Sequence, residues 1–240
     1  MTAYLRPTAP IAADVLLPAD PGLAMALAQR VTANPVMANH NHGLWGYSGR
    51  TDAGGELSVQ STGIGAPSAA AVLAELQALG ARRLIRIGRC AALDRELGAG
   101  AVVVAASALG ADGTTAALGA QRAHPDRGLT AALQRSTGAA AAVAVVSHDL
   151  GGGAPAALRE HWIAGGIAAI DLETAALFAL GERLGLALAA GLVVSETAAG
   201  EGDQAAVDAA LLALGDAARD ALAAPVEASP GRSGAAARAR

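Results

Sequence analysis

The sequence predicts an α/β layered domain. Short apolar or β-branched runs alternate with Ala- and Leu-rich stretches at helical spacing. Several of the apolar runs end in a polar cluster: Arg86-Ile87-Gly88, Ser147-His148-Asp149, Asp171-Leu172-Glu173 and Ser195-Glu196. No linker-like composition breaks the alternation before residue 225, so residues 1–224 read as one domain and 225–240, rich in Pro, Gly, Ser and Ala, as a disordered tail.

Taken in order, Asp14 to Leu17 reads as a strand stopped by Pro18. Ala19-Asp20-Pro21-Gly22 is a turn that opens a helix over 23–30. Residues 43–49 alternate apolar and small side chains, as a strand near a turn does, and 56–60 is a second short strand. Ser61 to Ser68 is a Gly-rich loop, followed by a helix over 68–79 with apolar residues at 72, 73, 76 and 79 and Gly80 as its stop. Leu84, Ile85 and Ile87 mark a buried strand ended by Gly88-Arg89. Strands are expected at 102–104, 140–146, 167–170 and 187–194, and helices at 129–134, 155–164, 174–184 and 205–223. In an open sheet of this kind, ligands bind beyond the carboxyl ends of the strands, so the four polar strand ends are expected to converge on one pocket.

Composition narrows the chemistry. Hydrophobic residues make up 53% of the chain and charged residues 16%, enough apolar weight for a large core. All 17 basic residues are Arg, which removes Schiff-base and Lys-phosphate mechanisms. With a net charge of -4 and little basic clustering, nucleic-acid binding has no support. No apolar run long enough for a membrane span and no secretory pattern are seen, and Cys90 is the single cysteine, so a cytoplasmic setting is expected. No His/Cys/Asp grouping has metal-ligand spacing, so no metal is expected.

Arg86 is the most informative residue. A guanidinium in a buried strand is costly unless an anion meets it, and its planar fork suits a carboxylate or a phosphate. It is read either as half of an anion site, with Gly88 turning the backbone towards the ligand, or as a core Arg paired with a structural acid. Glu173 and Glu196 are each read as a site acid or as an acid stabilising a helix N-terminus. Asp20 is a turn or N-cap residue and a site candidate together. His148-Asp149 is read as structural, since strand neighbours face opposite ways. His40, His124 and His161 are read as surface or packing residues, and Cys90 as a small buried side chain.

The ordered set Leu17-Pro18-Ala19-Asp20-Pro21, Ser61 to Ser68, Ile85-Arg86-Ile87-Gly88, Ser147-His148-Asp149-Leu150, Asp171-Leu172-Glu173 and Val194-Ser195-Glu196 resembles the nucleoside phosphorylase family of bacterial hexameric purine nucleoside phosphorylase and uridine phosphorylase. The resemblance implies a single-domain three-layer fold with a central mixed sheet. It implies phosphorolysis of a nucleoside to a free base and a sugar 1-phosphate, with no cofactor beyond phosphate as co-substrate. It also implies a homo-oligomer, a dimer or a trimer of dimers. Carried over by position, Arg86, Arg89, Asp20, Gly88 and His42 would bind phosphate. Glu173, Leu172, Asp171, Gly63 and Tyr4 would bind the nucleoside, and Glu196 would act at the base, with Glu173 as the second catalytic acid. Tyr4 and His42 would be lent by a neighbouring subunit. The chain departs from the family pattern at Ala19 and Leu23, where a Gly and a phosphate-gripping Arg are usual, and at Gly151-Gly152, where base-stacking aromatics are usual. Arg89, three residues after Arg86, is expected in the same turn as a compensating cation. A phosphate-independent nucleosidase and a non-catalytic nucleoside- or anion-binding protein remain as alternatives.

Overall fold

The computed structural model describes residues 2–139 and 142–224; the expected tail and the first two residues of the strand expected at 140–146 lie outside them. The chain begins with β1 (Asp14–Pro18), α1 (Pro21–Val31), β2 (Ala33–Asn39), β3 (Gly46–Arg50), β4 (Glu56–Gln60) and α2 (Ala66–Ala78). It continues with β5 (Arg83–Ala92), β6 (Val102–Ala111), α3 (Gly113–Ala117), β7 (Arg122–Ala123), α4 (Arg127–Thr137) and β8 (Ala142–His148). The last part holds α5 (Ala156–Ala164), β9 (Ala169–Asp171), α6 (Thr174–Leu184), β10 (Ala187–Thr197), β11 (Gly200–Glu201) and α7 (Gln204–Ala223).

One mixed sheet organises these elements. Strands β5, β9, β8, β6 and β10 pair in a closed ring, because β10 bonds both β6 and β5. From β5 the sheet extends outward through β1, β4 and β3 to the edge strand β2. The helices cover the sheet on two sides. α2 packs with α6 over one face of β5, and α1 and α4 pack with α7 over the other.

Strand periodicity assigns the side chains of β5 to those two sides. Leu84, Cys90 and Ala92 join the core under α2 and α6, whereas Ile85 and Ile87 join the core under α1 and α7. Arg86 therefore faces α6, and Arg89, an odd number of residues away, faces α7. The strand does not end at Gly88-Arg89 as expected, because Cys90, Ala91 and Ala92 continue it as a buried run paired with β9 and β10.

Candidate active site

The four polar strand ends do not converge as expected, because β9 and its parallel neighbour β8 run antiparallel to β5 and β10. What meets is the middle of β5, through Arg86, and the carboxyl ends of β8 and β9, through Ser147 and Asp171. Arg86 is 2% exposed. Its Nε donates to Asp171 Oδ2 and Thr174 Oγ1, both at 3.2 Å, and its Nη2 lies 3.1 Å from Asp171 Oδ2 and in contact with Glu173 Oε2. Nη1 is buried and has no acceptor among the described residues.

Asp171 is engaged on both oxygens by protein donors. Its Oδ1 accepts from Ser147 Oγ at 2.5 Å, and Oδ2 accepts from Thr174 Oγ1 at 2.5 Å and from the Thr174 N–H at 3.1 Å. With Arg86 added, both oxygens are occupied by protein donors, which gives Asp171 a structural role beside its expected place among the nucleoside ligands. Asp171 thereby starts α6, while Glu173, the residue preceding the helix, caps nothing with its side chain.

Glu173 is the surplus acid. One carboxylate balances Arg86; Glu173 makes a second, itself 2% exposed, held by the Gly65 N–H on Oε1 at 2.8 Å. Burial pushes the Glu173 carboxyl above its ordinary range; the Arg86 charge opposes this and the Asp171 charge adds to it. The loop reaches Glu173 through Gly65, while the N–H of Gly63, expected at the nucleoside, donates to the Ala19 carbonyl at 3.1 Å. Nothing in the sequence distinguishes these two glycines beyond Gly65 standing at the start of α2.

Gly88 serves Arg86 by absence and not by turning the chain. A Cβ there would lie 2.8 Å from Arg86 Nη2 and 3.0 Å from its Cζ. The guanidinium folds over the bare backbone two residues on, along the same face of β5.

Glu196 reaches the site by a bulge. The pairing of β10 with β5 slips between Val194 and Glu196, which takes Glu196 out of the alternation that buries Leu192 and Val194. Its carboxylate lies over Gly152, in the short helical turn Gly151–Gly153 that follows β8. The neighbouring Gly151 abuts Leu172, whose Cδ2 would lie 3.3 Å from a Cβ there. One glycine turn thus touches both the Leu172 side chain and the Glu196 carboxylate.

Other expected residues fall elsewhere. Arg89 faces α7, with Nη2 2.6 Å from Asp208 Oδ1 and Nη1 donating to Gln204 Oε1 at 3.1 Å. It shares a surface groove of about 630 Å³ with Asp20, Gly22, Leu23 and Asp208, and does not stand beside Arg86. Asp20 is the N-cap of α1, its Oδ1 accepting from the Leu23 N–H at 2.6 Å. Tyr4 and His42 are exposed and meet edge to face, ring centroids 5.7 Å apart. His148 packs against Trp162 and Asp149 accepts from the Gly113 N–H, both in structural roles. Cys90 is buried with its thiol raised far above the usual range by desolvation, and so is inert as a nucleophile.

The family model described as the Phosphorylase superfamily matches residues 14–229. The chain belongs to the phosphorylase superfamily. Among its relatives is a DeoD-type purine nucleoside phosphorylase from Clostridium novyi (strain NT), 28% identical over 200 residues that cover 78% of this chain and 83% of that one. A uridine phosphorylase from Treponema pallidum (strain Nichols) is 34% identical over 184 residues, 70% of each chain. The crystal structure of uridine phosphorylase from Vibrio fischeri ES114 superposes with a TM-score of 0.79 at 23% identity, covering 89% of this chain and 92% of that one, so the fold is shared.

Proposed function

We propose that this phosphorylase-superfamily member cleaves the N-glycosidic bond of a nucleoside with inorganic phosphate, giving a free base and a sugar 1-phosphate. The observation that carries the reading is the cluster of Arg86 and Glu173: a buried cation with a donor left over, beside a buried acid that neutralisation does not require. The relatives named purine nucleoside phosphorylase and uridine phosphorylase support the reaction class.

The chemistry follows from where charge develops. As the glycosidic bond breaks, positive charge grows on the sugar and negative charge on the base. Phosphate held by Arg86 lies against the first charge and attacks the anomeric carbon as the base departs. It takes over the guanidinium contact that Glu173 makes, and Glu173 then accepts hydrogen bonds from the ribose hydroxyls, with Leu172 packing on the sugar. Glu196 meets the base from the far side and relieves the second charge by giving it a proton. No resident cofactor enters the scheme.

Tyr4 and His42 belong to the proposal as groups that complete a neighbouring subunit's site in a homo-oligomer, a dimer or a trimer of dimers. Their support is their exposure and mutual packing, together with the Asn41 Nδ2 bond to the Tyr4 carbonyl at 2.7 Å, which fixes one to the other's loop. A cytoplasmic setting completes the reading, since a chain with one buried thiol gains nothing from an oxidising compartment.

The test is a panel of inosine, adenosine and uridine assayed with and without phosphate. Base release that requires phosphate and yields sugar 1-phosphate is the expected result. Equal rates without phosphate would replace phosphorolysis by hydrolysis, and no release from any nucleoside would refute catalysis.

A further inference from the structure

We propose that Gly152 is a positioning residue for Glu196, and that Arg159 holds Gly152 in place for that purpose. The inference rests on the reading of Glu196 as the acid at the base, and adds to it what aims the carboxylate.

The geometry is specific. A Cβ built on Gly152 would lie 2.5 Å from Glu196 Oε2, 3.1 Å from its Cδ and 3.2 Å from Oε1. The whole carboxylate therefore rests on the face of the Gly152 backbone that a side chain would fill. Gly152 is not among the glycines with positive φ, so its backbone accepts any residue. What the position excludes is side-chain volume, and the side chain excluded is Glu196's neighbour. The next carbonyl contact supports this: Arg159 Nη1, from α5, donates to the Gly152 carbonyl at 3.2 Å. Arg159 is part-buried and ties the turn to α5. The pinned turn, the missing Cβ and the bulge that presents Glu196 form one device, fitted to a glutamate and not to the shorter aspartate.

This arrangement yields a clean experiment, because the three nearest atoms that a methyl at 152 would meet all belong to the Glu196 carboxylate, the far end of a flexible side chain. Gly152→Ala folds and displaces the Glu196 head group. A displaced acid loses part of the roughly 10²–10⁴-fold that positioned proton transfer supplies. Expected are a fall in kcat of about tenfold or more for Gly152→Ala, with KM for phosphate unchanged. Glu196→Asp alone falls as well, because the shorter side chain stops short of the turn. In Gly152→Ala/Glu196→Asp the two defects overlap, so the double variant loses less than the product of the two single losses. Arg159→Met lowers kcat in the same way, and Arg159→Lys, which keeps a donor for the Gly152 carbonyl, restores it.

The controls separate the two claims. Glu196→Gln with undiminished base release would overturn the reading of Glu196 and the proposal with it. Loss of activity in Glu196→Gln, with Gly152→Ala at wild-type kcat or the two losses multiplying, would retain the reading and overturn the positioning claim. A crystal structure of Gly152→Ala supplies a readout independent of turnover: the carboxylate in its wild-type place would overturn the proposal, and its displacement supports it.

Discussion

At the scale of single residues, the site is an unequal charge count. Arg86 is shared by Asp171 and Glu173, and the desolvation of a second carboxylate is what raises the Glu173 pKa. The sign of the stability effect follows. A carboxyl that is easier to protonate in the folded state stabilises the fold fully below its unfolded value, and that stability is lost as pH rises through the folded value. Glu173→Gln keeps an acceptor for the Gly65 N–H and removes the surplus charge. Its melting temperature should therefore equal or exceed that of the wild type at pH 7 to 8, with the advantage shrinking as pH is lowered towards the ordinary carboxylate range. Its kcat/KM should fall about 10- to 150-fold, as for loss of a charged hydrogen bond worth about 1.5–3 kcal/mol. Melting curves across that pH range and steady-state kinetics check both halves; a variant less stable than wild type at pH 8 would refute the charge count. Arg86 was legible in the sequence because an ionisable residue inside an apolar run demands a partner, whereas Glu173 was singled out only by the family resemblance. Arg89 was misplaced by ending its strand early: once β5 runs on to Ala92, period-two alternation alone puts residues 86 and 89 on opposite faces.

At the scale of elements, the long helices and central strands could be read from their periodicity, and α6 and β4 have the bounds that the spacing predicts. The edge strand β2 could not, since Asn34, Pro35 and Met37 carry no alternation and its partner β3 supplies the pairing. The anchoring of the N-terminal segment was equally hidden. The Glu75 carboxylate of α2 accepts the N–H groups of Ala3 at 2.6 Å, of Tyr4 at 3.0 Å and of Leu5 at 2.7 Å, gathering three successive amides as an anion nest does. Burial raises the Glu75 pKa, but the bonds from Leu5, Tyr4 and Ala3 outweigh it and hold the carboxyl below its ordinary value. The contribution is then present above the unfolded pKa and is lost as pH falls through the folded one. Glu75→Gln should release residues 3–5 already at pH 7. Faster amide exchange there, with the melting temperature nearly unchanged, is the expected outcome; unchanged exchange would show that the segment is held by Leu5 packing alone. If Tyr4 and His42 serve a neighbouring subunit, the same variant should raise KM more than it lowers kcat.

At the scale of the whole molecule, the site depends on which strands become neighbours, and this was the least legible layer. Local patterning marks a strand and its buried face, but it does not record that β10 bonds β5 on one edge and β6 on the other to close the ring. That closure puts Ala190 beside Arg86 and Glu196 beside Ala91, so the strands that carry Arg86 and Glu196, the proposed phosphate and base groups, are adjacent. Gly191 lies in this seam, paired with Ile87 on one side and Val104 on the other, and a Cβ there would sit 2.7 Å from Leu214 Cδ1 of α7. Leu214 is 1% exposed and has no room to retreat. Gly191→Val should therefore push α7 from the ring at an overpacking cost of about 1–3 kcal/mol, lowering the melting temperature by roughly 2–12 °C for a chain of this size. Because the strain falls between the strands that bear Arg86 and Glu196, kcat should drop with stability, in contrast to Glu173→Gln, which separates the two. Gly191→Val/Leu214→Ala, which returns the volume, should recover part of both; recovery of stability without activity would show that the two halves of the site are not held together through the β5–β10 pairing.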